Sequence, residues 1–137
     1  MSALGAGCAT GNTPDTQPPA AKKMSMAQFM NGSWKIKSMQ QPGGNPEDVS
    51  MFDLTLSFDG ERMTGKVCNN LNGTYTVEDN LVKFGPVMST KMFCEGLQGE
   101  AETALNSGFT SNYTILKQDE FLVMQGPAVF VLERSGE

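Results

Sequence analysis

Lys66-Val67-Cys68-Asn69-Asn70-Leu71-Asn72-Gly73-Thr74-Tyr75 is answered later in the chain by Met88-Ser89-Thr90-Lys91-Met92-Phe93-Cys94. Each stretch reads as an extended strand, and each carries one of the only two cysteines downstream of Cys8. In the first, Leu71, Gly73, Tyr75 and Val77 alternate with polar residues, the period of a half-buried strand. The rest of the chain reads as the scaffold that brings these two stretches together.

Working outward, short alternating runs dominate. Upstream, Phe52 to Phe58 places Phe52, Leu54, Leu56 and Phe58 on one face and three polar residues on the other. Asp59-Gly60 is a hairpin signal, and Met63 to Cys68 returns from it. Ser33 to Ser38 alternates Trp34 and Ile36 with Lys35 and Lys37, and Gln41 to Pro46 is a loop by its turn residues. Before it, Ser25 and Gln28 have capping-box spacing for a short helix through Phe29 and Met30, ended by Asn31-Gly32. Downstream, Asp79-Asn80 turns the chain into Leu81 to Phe84, which Gly85-Pro86 is expected to stop. Met88 to Phe93 is then a separate strand. Leu97, Ala101, Ala104 and Leu105 change the period to that of a helix, Leu97 to Asn106, with Gly108 as its C-terminal stop. Phe109 to Leu116, Glu120 to Gln125 and Ala128 to Glu133 are the closing strands. This adds up to a mainly β fold, a small antiparallel β-barrel of about eight to nine strands with one helix packed against it.

The totals narrow the function more than they name it. The chain has 137 residues, enough for one domain, and a net charge of −5 with no basic run longer than Lys22-Lys23, so a nucleic-acid partner is not expected. It has no histidine. That removes the usual general base and the commonest metal ligand, and three cysteines cannot make a four-cysteine zinc site. No apolar run reaches the ~18 residues of a membrane span. No catalytic signature emerges, and neither a metal nor another cofactor is expected.

Residues 1–23 read differently from the body. Leu4-Gly5-Ala6-Gly7-Cys8 resembles the lipobox of bacterial lipoproteins, in which the cysteine is lipidated. Ala9, which is not an aspartate, favours the outer membrane by the enterobacterial sorting rule. Residues 9–23 lack aromatics and are rich in proline and polar residues, as a disordered linker is. The body then spans residues 24–137.

From Trp34 onward the chain resembles the META domain family, which includes HslJ-like bacterial heat-shock lipoproteins. Gly65-Lys66-Val67-Cys68-Asn69, then Gly73 and Tyr75, resemble the family's G-x-x-G-C-N followed by G-x-Y, with Val67 where glycine is common. Thr90, Met92 and Cys94 match its T-x-M-x-C, and Glu102, Leu105 and Phe109 its later helical positions. The resemblance implies a small antiparallel barrel with a helix on one side, in an envelope protein with no attached enzymatic activity.

Several residues invite a chemical reading. If Cys8 carries lipid, Cys68 and Cys94 remain as a pair in an oxidising envelope, which favours a disulfide over two buried thiols. Asn69, Asn70 and Asn72 read as turn chemistry around Gly73, with a polar recognition patch as the alternative, and Thr90 is placed to bond them. Glu100 and Glu102 sit two apart on a helix and do not face each other. They read as a solvated face, or as one glutamate packed near the sheet. The ten methionines read as core filling or a soft contact surface. The expectation is a monomeric, non-enzymatic envelope protein, touching the membrane only through its lipid anchor and binding another envelope protein. The alternative is a carrier of a small apolar ligand in the barrel.

Overall fold

The computed structural model describes residues 25–135; the expected lipid site at Cys8 and the linker over residues 9–23 lie outside them. The chain enters through the short helix α1 (Met26–Met30). Its capping box is formed: the Ser25 hydroxyl accepts from the Gln28 N–H, and the Gln28 carboxamide oxygen accepts from the Ser25 N–H, both at 3.1 Å. The far end of α1 is held by the other end of the chain. The Arg134 guanidinium donates to the carbonyl oxygens of Phe29 and Asn31 and stacks 4.0 Å over the Trp34 ring. A side chain at position 32 would run into that guanidinium, so Gly32, at φ +118°, lets it through.

Nine strands follow: β1 (Gly32–Gln40), β2 (Glu47–Asp48), β3 (Thr55–Phe58), β4 (Arg62–Lys66), β5 (Asn70–Glu78), β6 (Leu81–Ser89), β7 (Tyr113–Gln118), β8 (Phe121–Gln125) and β9 (Val129–Arg134). All pairings are antiparallel, and neighbours in sequence are mostly neighbours in space. Closure comes from β1, which pairs with β9 along one edge and with β3 along the other. The result is a closed barrel of eight strands, with β2 as an extra strand on the second half of β1. Closure leaves few free strand edges.

The inward faces explain the alternation. Trp34, Ile36, Met39, Leu54, Leu56, Met63, Val82, Ile115, Leu122, Phe130 and Leu132 are fully buried and belong to one continuous apolar cluster. Burying side chains of this size contributes about 1.5–3 kcal/mol each. In β1 the inward set slips from even to odd numbers because the pairing with β9 skips Lys37, a bulge that turns Met39 inward.

A second helix, α2 (Gly96–Ser111), covers the weakest seam. β6 and β7 pair only at Leu81–Thr114 and Val82–Tyr113, so the barrel opens beyond them. Ala101, Ala104, Leu105, Gly108 and Phe109 of α2 are buried over the opening. Phe109 packs 4.7 Å from Phe84, centroid to centroid, and the buried Tyr113 hydroxyl donates to the Leu105 carbonyl at 2.8 Å.

Four expectations need correction. Gly85-Pro86 does not stop a strand, because β6 runs through it to Ser89 with a register shift opposite Thr74. β7 does not pair with this part of β6, so the missing N–H of Pro86 interrupts no ladder on that side. Phe93 is therefore not in a strand; Thr90 to Glu95 is an irregular segment. The helix runs to Ser111 and takes in both Gly108 and Phe109. Gly108 is no stop; it lies under the Tyr113 ring, where a Cβ would overlap the ring. Finally, Phe52 belongs to a 3-10 turn, Ser50–Phe52, and Asp53 takes a left-handed φ of 54°.

Candidate functional site

The family-motif residues split into two groups at two levels of the barrel. Trp34 and Tyr75 serve one. Trp34 donates from Nε1 to the Met30 carbonyl at 2.8 Å, joining β1 to α1. The Tyr75 hydroxyl accepts from the Gly60 N–H at 2.6 Å, fixing the β3–β4 hairpin. Gly65 and Gly73 have a steric reason. A Cβ on Gly65 would lie 2.6 Å from the Thr55 carbonyl oxygen, and one on Gly73 would lie 2.9 Å from a Val87 methyl. Glycine lets these neighbouring strands approach.

The second group converges at the β4–β5 connection. The chain turns through Val67, Cys68 and Asn69, so that two successive N–H groups point the same way. Both donate to one oxygen of Glu102, Cys68 at 2.9 Å and Asn69 at 2.7 Å, an anion-holding arrangement built from backbone. The other Glu102 oxygen accepts from the Asn69 Nδ2 at 2.6 Å. Asn69 then spends its own carboxamide on the Thr90–Glu95 segment. Its Oδ1 accepts from the Thr90 hydroxyl at 2.9 Å and the Met92 N–H at 2.6 Å, while its Nδ2 reaches the Met92 carbonyl at 3.3 Å. Every hydrogen-bonding position of that carboxamide is used. The Thr90 hydroxyl also accepts from the Asn70 N–H at 3.1 Å.

Cys68 and Cys94 close the same knot as a disulfide, with Cα atoms 6.2 Å apart and a sequence separation of 26. The disulfide and the Asn69 carboxamide therefore pin one short segment from two sides. Gly99, in the first turn of α2, has no side chain to obstruct that approach; a Cβ there would overlap the Cys94 carbonyl. Val67 fits its place without a left-handed backbone, its side chain buried in the core.

Burial raises the pKa of the Glu102 carboxyl, but the Asn69 side chain and the Asn69 and Cys68 N–H groups outweigh it and hold the pKa below its ordinary value. The carboxylate is thus ionised and fully engaged, which suits a structural anchor better than a proton-transfer group. Of the asparagines, Asn69 does sit in the β4–β5 turn, but its buried side chain bonds Glu102, Thr90 and Met92 rather than its own turn, while Asn70 and Asn72 lie in β5. The expectation that Thr90 bonds the asparagines is met at Asn69 and Asn70, but only the fold shows that Glu102 joins them. Met92 contributes its backbone to the knot while its side chain stands in solvent.

The barrel interior, where an apolar ligand was an expectation, is occupied by the core side chains themselves. Among the described residues no cluster of three or more His, Cys, Asp or Glu side chains has metal-binding placement. No helix of the described residues is long and apolar enough to cross a membrane. The open features lie on the surface, notably a cleft of about 260 Å³ between the pinned segment and α2, lined by Phe93, Cys94, Gly99, Glu102, Thr103 and Asn106. Phe93 is 88% exposed and Met92 59%.

The META domain profile matches residues 27–136. No curated protein matches the chain at a significant level. Among solved structures, an NMR structure of a protein from Burkholderia xenovorans is similar, with TM-score 0.64 and 22% identity over 91% of this chain and 93% of that one. A second NMR structure gives TM-score 0.64 at 13% identity, covering 81% and 95%. A lipocalin-like protein from Bacteroides uniformis gives TM-score 0.54 at 9% identity, covering 77% and 98%. At these identities the likeness is one of fold.

Proposed function

This chain belongs to the META domain family, and from that premise we propose that it is a non-enzymatic binding module of the bacterial cell envelope. In this reading Cys8 carries a lipid in the outer membrane, the linker holds the barrel away on the periplasmic side, and the barrel binds another envelope protein. The observation that carries the reading is the use made of the motif residues. Asn69, Thr90, Glu102 and the disulfide are all consumed in holding one surface segment still, and that segment turns Met92 and Phe93 outward. A rigid, apolar surface feature is what a protein–protein contact requires, because little ordering entropy remains to be lost on binding.

The test is photo-crosslinking in intact cells from probes spread over the whole barrel surface, on strands, hairpins and α2. Reproducible adducts to a defined protein from at least one face are the expected result. Absence of adducts from every face would end the binding-module reading. The address is tested separately, by mass spectrometry of the native protein and by membrane fractionation. An unmodified Cys8 in a soluble fraction would remove the lipid tether without touching the barrel's role.

A further inference from the structure

The binding-module reading leaves open which surface docks and what it docks with. We propose that the docking surface is the pinned segment Thr90–Glu95 together with the first turns of α2, and that its partner is a protein segment carrying a lysine or arginine side chain among apolar neighbours. This rests on the reading above.

Phe93 and Met92 stand out from a segment that cannot fold them inward, because the Asn69 carboxamide grips Met92 and the disulfide grips Cys94. Beside them the cleft toward Glu102 continues across Cys94, Gly99 and Thr103 into a second hollow of about 300 Å³ that reaches Glu100. From Met92 to Leu116 the chain contains Glu95, Glu100 and Glu102 and neither lysine nor arginine; Lys91 stands at the edge. Among the described residues, none of these three carboxylates is in an ion pair. An exposed phenylalanine near the exposed, unpaired carboxylates of Glu95 and Glu100 suits a cationic side chain, which can lie over the ring while its charge meets these two glutamates; Glu102 is already held by the Cys68 and Asn69 donors. The thioether of Met92 adapts to the stem of that side chain.

The alternatives fit less well. A membrane surface rich in anionic headgroups would meet Glu95 and Glu100 head-on. A second copy docking through the same patch would set these glutamates against their own counterparts across a two-fold axis.

The experiment is a backbone-amide NMR titration of the full chain with defined probes. These are a synthetic peptide alternating arginine and leucine, the same peptide with glutamate for arginine, and vesicles of phosphatidylcholine with phosphatidylglycerol. The arginine–leucine peptide is expected to shift the resonances of Met92 to Glu95 and Gly99 to Thr103. Phe93→Ala and Glu100→Gln, both at the surface, are each expected to weaken that binding about tenfold and leave the remaining spectrum unchanged. Raising the salt is expected to weaken it too. The proposal is overturned if the peptide causes no shift, if the shifts map to another face, if the glutamate peptide binds as well, or if neither substitution matters. Preferential binding to the vesicles, or dimerisation through the patch, also overturns it. In any of those cases crosslinks from other faces of the barrel would leave the binding-module reading standing.

Discussion

Replacing Glu102 with glutamine tests whether the buried knot is what holds the Thr90–Glu95 segment in place. The new side chain has the same shape but only one acceptor end. Turned one way, its oxygen still faces the Cys68 and Asn69 N–H groups, which lose a charged partner for a neutral one. Its nitrogen then faces the Asn69 Nδ2, donor against donor, where a 2.6 Å bond had been. Turned the other way, its nitrogen faces two backbone donors instead. Hydrogen bonds to charged groups contribute about 1.5–3 kcal/mol against about 1 kcal/mol for neutral ones, and a buried unsatisfied donor costs about 1–3 kcal/mol. The removed desolvation of the carboxylate offsets part of this. The net expectation is a loss of about 3 kcal/mol, large beside a typical stability of about 5–15 kcal/mol. Urea unfolding followed by the fluorescence of Trp34, the single tryptophan and fully buried, measures it.

The second half of the test is a reversal of polarity. Asn69→Asp alone sets two carboxylates against each other and destabilises the fold most at neutral pH, less in acid. Asn69→Asp combined with Glu102→Gln lets the introduced amide donate to the introduced carboxylate, while the Thr90 and Met92 donors keep their acceptor. The double variant is expected to be more stable than the sum of the single losses by about 2 kcal/mol. The pH dependence has a definite sign. With its folded pKa held below the unfolded one, Glu102 contributes stability in full above the unfolded value and loses it as pH falls through the folded one. Glu102→Gln removes this contribution, so acid unfolding becomes shallower. A loss under about 1 kcal/mol for the single variant, or no recovery in the double, would refute the account of the knot.

Three further outcomes follow from the same geometry. Replacing both Cys68 and Cys94 with alanine is expected to cost about 3.5 kcal/mol by the loop-closure relation for their 26-residue separation, measured as a drop in urea midpoint with a somewhat steeper slope as the uncrosslinked unfolded chain exposes more surface. Gly65→Ala pushes a methyl group against the Thr55 carbonyl and Leu56, so it is expected to destabilise by about 2–3 kcal/mol, whereas Gly43→Ala, with no atom nearby, meets only the milder strain of its positive φ. Under dilute peroxide, peptide mapping is expected to find sulfoxide first at the exposed Met51, Met88 and Met92, and only after unfolding at the buried Met30, Met39, Met63 and Met124.

What could be read in the chain was whatever depends on near neighbours. The capping box of α1 needs residues three apart, and the alternation of β5 needs residues two apart, so both are visible in the sequence. The abundance of such short runs was enough to imply a barrel, and the motif residues were enough to imply the family. Where the local signals conflicted, packing decided. Gly85-Pro86 has the chemistry of a break, yet β6 continues because that edge of the barrel opens away from β7. Phe109 suits a strand by composition, but it lies in α2 because the gap beside Phe84 needs an aromatic plug from outside the sheet. The knot is the clearest case. Asn69, Thr90 and Glu102 are separated by stretches whose lengths say nothing about contact, and a carboxylate becomes an anchor only when backbone donors are brought to it. Sequence by itself determined the periodicities, the missing histidine and the three cysteines. Only the tertiary structure decided which polar groups share a buried site and which apolar side chains are left facing water, since both follow from distances set by closure of the barrel.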